Sequence, residues 1–103
     1  MSNRDSARQM EIETTRLLRG AMLVAIYQQF PKPSFQSMLN WLVKDFGLKQ
    51  REFEQEIAYL RIRGWITTDE VRIIGRDDVR IELTAKGVDV ARGIDPENPV
   101  LVD

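Results

Sequence analysis

The sequence predicts an α+β domain, mostly α, with a three-helix core, a β-hairpin and a short C-terminal helix. Three observations carry that expectation. Apolar residues recur at helical spacing as far as Arg63. After Gly64 the spacing changes to two, the rhythm of a half-buried strand. Prolines and glycines stand where the elements have to end.

Residues 1–9 are polar and charged, and are expected to fray. From Ala7 to Phe30 there is no proline, and only Gly20 interrupts good helix formers. Leu17, Ala21, Val24 and Leu18, Met22, Ala25 step at helical intervals, and Ile26 and Phe30 continue the stripe. Pro31 and Pro33 end the helix, because proline cannot donate to the ladder and pushes its predecessor toward extended backbone. Ser34 is placed to cap a second helix carrying Phe35, Met38, Leu39, Leu42, Val43 and Phe46 on one face. Gly47 suits the left-handed position after a helix, and Leu48 can tuck in behind it. A third helix is predicted from Lys49 to Arg63, with Phe53, Ile57 and Leu60 inward, stopped by Gly64.

Beyond Gly64, Trp65-Ile66-Thr67 reads as a short strand. Val71-Arg72-Ile73 and the run from Val79 to Leu83 alternate around a turn-forming group, Gly75-Arg76-Asp77-Asp78, and so predict a hairpin. Thr84 caps a short helix from Ala85 to Arg92, which Gly93 ends. Pro96 and Pro99 mark an extended tail. The chain thus divides into an arm or helix extension over 1–16, a domain over 17–93 and a tail over 94–103.

Composition narrows the chemistry. The 103 residues suit one domain, and 43% apolar with 30% charged residues is ordinary for a globular protein. There is no cysteine and no histidine. Disulfides, thiolate metal sites, a Cys nucleophile and the commonest general base are therefore excluded, and neither an enzyme, a metal nor a cofactor is expected. Asp77-Asp78 reads as turn chemistry rather than a cation site, and Met22 and Met38 as core filler. The longest apolar stretch, Ala21–Tyr27, is far short of the ~20 residues that span a bilayer. With no secretory pattern, the expected location is the cytoplasm.

Two stretches carry a resemblance. One is Phe53 to Ile66, Phe-Glu-Gln-Glu-Ile-Ala-Tyr-Leu-Arg-Ile-Arg-Gly-Trp-Ile; the other is Leu83-Thr84-Ala85-Lys86-Gly87. With a tight connection around Gly47 before the first and a hairpin between the two, residues 17–93 resemble the winged helix-turn-helix superfamily. The likeness is nearest to small bacterial or phage regulators of the MarR, PadR and ArsR types. It implies a transcriptional regulator that binds double-stranded DNA as a homodimer. Helix 49–63 would read the major groove, and wing 71–83 would touch the backbone.

On that reading Lys49 and Gln50 meet phosphate, Arg51 a guanine edge and Gln55 an adenine edge. Arg72 and Arg80 share the outer face of the wing by alternation, and Arg76 lies near its tip. The competing reading takes these as ordinary solvated charges, since Glu52, Glu54, Glu56, Asp69, Glu70, Asp77, Asp78 and Glu82 are interspersed and the formal net charge is -1. A different class of function stays open: a protein-interaction module whose contact patch is Trp41, Tyr59 and Ile62. Trp41 also has a plainer use, covering the first helix. Residues 7–20, with Met10, Ile12, Leu17 and Leu18, either pack on a second copy or form a folded-back arm.

Overall fold

The computed structural model describes the backbone of residues 3–102 and the side chains of 6–102. The first two residues of the predicted arm and the last residue of the tail lie outside it. The chain folds as an α+β domain, 56% helical, with four α-helices and a three-stranded antiparallel sheet. The first helix, α1, runs Asn3–Gln29. The arm is therefore no separate segment but the first half of one helix, and the expected fraying of residues 1–9 is not seen in those described. This helix gives the molecule its long dimension, 52 Å against 29 and 24 Å.

The region after Pro33 departs from the sequence expectation. Ser34 caps nothing: Ser34–Phe35 form a short strand, β1, and Ser34 is buried with no hydrogen-bond partner for its hydroxyl. A 3-10 turn follows at Gln36–Leu39, and only then a five-residue helix, α2, at Trp41–Asp45. The reason is a competing demand. The extended backbone imposed by the two prolines is taken up by a strand, which satisfies the otherwise open edge of the sheet through the pairs Ser34↔Ile81 and Phe35↔Arg80. Leu39 and Leu42 still turn inward, but the tighter 3-10 winding leaves Met38 exposed and Phe35 half-buried. Met38 is therefore not core filler, whereas Met22 is fully buried.

The next turn follows expectation. Gly47 has φ +62°, and the Leu48 N–H donates to the Val43 carbonyl. Helix α3 then runs Gln50–Ile62 with Phe53, Ile57 and Leu60 buried. Gly64, at φ +77°, reverses the chain and drops Trp65 and Ile66 into the core.

The hairpin is longer and tighter than predicted. Strand β2 is continuous over Ile66–Ile73, and β3 covers Arg76–Leu83. The pairing Ile73↔Arg76 leaves Ile74 and Gly75 as the turn. Asp77 and Asp78 are strand residues, not turn residues. The sheet order is β1-β3-β2, so the return strand is central. Ile81 is its fully buried centre, packed with Leu23, Met22, Leu42 and Phe53.

Helix α4, Ala85–Arg92, begins as predicted: the Thr84 hydroxyl accepts from the Gly87 N–H at 3.0 Å and donates to the Gly64 carbonyl at 2.6 Å. Gly87 is needed because a Cβ there would collide with the Trp65 carbonyl. The tail is extended, yet it is fastened. Leu101 is buried, its N–H bonds to the Arg16 carbonyl, and Pro99 crosses α1 directly over Gly20. No helix among the described residues is long and apolar enough to cross a membrane.

Candidate nucleic-acid interface

Helix α3 presents three sides, and its acids are unevenly placed on them. Phe53, Ile57 and Leu60 define the buried side. Toward α1 lie Glu52, Glu56, Tyr59 and Arg63. Glu52 accepts from the Lys49 N–H at 3.0 Å and so holds the start of the helix. Glu56 accepts from Arg19 at 2.6 Å in a largely shielded ion pair. Both carboxylates are occupied by the fold. Glu54, one turn away and exposed, is the acid of α3 left without such a partner among the described residues.

The outward side carries Arg51, Gln55, Ala58 and Ile62, as the sequence projection places them. The side chains of Lys49, Gln50, Arg51 and Gln55 are exposed, and none is engaged by a hydrogen bond or ion pair among the described residues. Free N–H groups at the first turn of a helix add partial positive charge beside them.

The hairpin does not present its arginines as expected. Because the turn takes two residues, Val71 and Ile73 fall on the outer face with Asp69, opposite Asp78, Arg76 and Arg80. Thr68, Glu70 and Arg72 fall on the inner face, opposite Ile81, Val79 and Asp77. Arg72 and Arg80 therefore lie on opposite faces, not one. Both are also paired. Arg72 faces Asp77 at 3.5 Å and donates to the Gly75 carbonyl, while Arg80 meets Asp69 at 2.8 Å and Glu82 at 3.4 Å. Arg76 is exposed next to the turn and has no partner among the described residues.

An open cleft lies between α3 and the inner face of the hairpin, lined by Gln50, Glu54, Glu70, Arg72, Asp77 and Asn40 among others. Deeper along it, Arg61 donates to the Thr68 hydroxyl at 3.2 Å. Sequence reasoning missed both the cleft and Arg61. The spacing Gln50, Glu54, Arg61 on one side of α3 was the available signal, but only the hairpin's register shows which side faces it. At the mouth, Asp78 is held by the Ser37 backbone N–H at 3.2 Å and the Ser37 hydroxyl at 2.5 Å.

Of the predicted protein-contact residues, Trp41 is 51% exposed and Ile62 80%. Tyr59 is not available with them. The Arg19 guanidinium lies 3.5 Å over its ring, and its edge meets Trp65. Comparisons of the chain with protein-family models, curated proteins and solved structures gave no match.

Proposed function

We propose that this chain is a winged helix-turn-helix domain that binds double-stranded DNA, with α3 as the reading helix and the tip of the hairpin as a secondary backbone contact, in the role of a cytoplasmic transcriptional regulator. The order of elements supports the reading: helix, short strand, two helices joined by a tight turn, then a hairpin. The observation that carries it is the free edge formed by Lys49, Gln50, Arg51 and Gln55. These side chains have the chemistry for phosphate and base edges, and the nearby acids Glu52 and Glu56 are turned to internal work. The contact set contracts accordingly. Arg72 and Arg80 are spent on Asp77, Asp69 and Glu82, and Arg76 is left for the tip.

The test is retention of a random duplex pool at about 50 and 150 mM salt, where electrostatic contributions differ strongly. Arg51→Ala and Arg76→Ala are the variants. Retention at the lower salt, lost in Arg51→Ala and weakened in Arg76→Ala, is the expected result. Failure to retain any duplex at either salt removes the reading.

A second reading rests on a separate observation. The half-exposed Trp41 indole and the exposed Ile62 are apolar surface that DNA recognition does not use, and aromatic anchors of this kind suit a protein partner. Trp41→Ala would abolish such binding while leaving DNA retention unchanged.

A further inference from the structure

We propose that two copies of this chain pair antiparallel along the outer face of α1, with Met10 of each packed against Ala21 of the other. This inference stands apart from the DNA reading and would hold for either kind of partner.

The own-chain core takes one stripe of α1: Leu18, Met22, Leu23 and Ile26 are buried. The tail takes another, over Arg16 and Gly20. Between them runs a third stripe, Ala7, Met10, Thr14, Leu17, Ala21, Val24 and Gln28. These residues alternate steps of three and four, the spacing of a coiled-coil seam. No charged residue lies on it, although Arg8, Glu11, Glu13, Arg16 and Arg19 crowd the rest of the helix. Leu17, Ala21 and Val24 are only half-covered by their own chain, and Met10 is 68% exposed. Thr14 suits a dry seam, since its hydroxyl already bonds back to the Met10 carbonyl at 2.8 Å and leaves its methyl outward.

The occupant follows from the order of sizes. Ala7, Thr14 and Ala21 are small; Met10, Leu17 and Val24, each three residues further on, are large. A parallel pair would set small against small and large against large in alternate layers, leaving gaps and clashes. An antiparallel pair centred between Thr15 and Arg16 sets Ala7 against Val24, Met10 against Ala21 and Thr14 against Leu17. Every layer then holds one large and one small residue. The seam spans about 33 Å of helix. It also lays the projecting first half of each α1 on the domain-packed second half of the other, so neither arm is left bare.

The absence of cysteine makes the test clean, because any introduced thiol is unique. Sedimentation of the full chain should show a dimer, and Met10→Lys combined with Leu17→Gln should give a monomer of unchanged helicity by circular dichroism. Under mild oxidation Met10→Cys combined with Ala21→Cys should form covalent dimers, while Met10→Cys alone should not. A monomeric wild-type chain overturns the proposal, as does a dimer that survives the double seam substitution. Efficient cross-linking by Met10→Cys alone shows a parallel pair and overturns the antiparallel register.

Discussion

Ile74 is a β-branched residue at φ +50°, beside Gly75 at φ +74°, and it is 98% exposed. Two positive φ values in a two-residue turn are the geometry that asparagine followed by glycine adopts with least strain. Isoleucine there bears a steric cost of about 1–2 kcal/mol and recovers nothing by burial. Ile74→Asn should therefore raise unfolding stability by about 1 kcal/mol, read as a higher urea midpoint at unchanged slope. If the same variant binds its partner less well, the strain is retained for contact rather than for folding. Asp78 makes the opposite kind of contribution. Burial pushes its carboxyl up, but hydrogen bonds from the Ser37 hydroxyl and from the Val79 and Ser37 N–H groups outweigh that and hold it below the usual range. A carboxylate depressed in the folded state stabilises above its unfolded value and loses that contribution as pH falls through the folded one. Urea titrations from about pH 5 to 2 should show the native chain losing more stability than Asp78→Asn, with most of the difference arising below about pH 4.

At the scale of elements, Gly20 shows how a local rule can give way to a distant contact. Glycine inside a helix costs about 1 kcal/mol relative to alanine. Here it admits the Pro99 carbonyl, which a Cβ would strike, and so lets Leu101 bury itself. Gly20→Ala should lower stability by about 1–2 kcal/mol, because displacing a buried leucine outweighs the helical gain. In a chain truncated after residue 97 the same substitution should instead stabilise by about 1 kcal/mol. Thermal or urea unfolding of the four chains checks the change of sign. The same tension marks what was readable beforehand. Helix α3, its glycine stops, the Thr84 cap and the existence of a hairpin depend on neighbours in sequence, and they were legible. Strand β1 was not, because its partner Ile81 lies far along the chain and the stripe from Phe35 to Phe46 fits a helix just as well. The facing of Arg72 and Arg80 was lost to a turn shorter than Gly75–Asp78, since one slip of register exchanges the two faces of a strand.

At the scale of the molecule, a net charge of -1 means that recognition depends on where charges are left free, not on their sum. Lys49, Arg51 and Arg76 are the free cations of the proposed interface, so the slope of log affinity against log salt should be about -3 per protomer, not the -4 to -5 that five phosphate contacts would give. Glu54 then becomes the side chain that separates the two readings. It stands one turn beyond Gln50 and Arg51 and lines the cleft with Glu70 and Asp77, opposed there by Arg72 and Arg61. A phosphate strand passing between α3 and the hairpin would be repelled by it. Glu54→Gln should then strengthen duplex binding, by roughly threefold for a charge about 7 Å from a phosphate in water, and the gain should shrink as salt rises. A basic protein segment seated in the same cleft would be attracted by Glu54, and the same substitution would weaken it by a comparable factor. Anisotropy titrations of the native chain and Glu54→Gln at two salt concentrations therefore read the identity of the partner from the direction of change. A tightening that fades with salt belongs to nucleic acid, and a loosening that fades with salt belongs to a cationic protein.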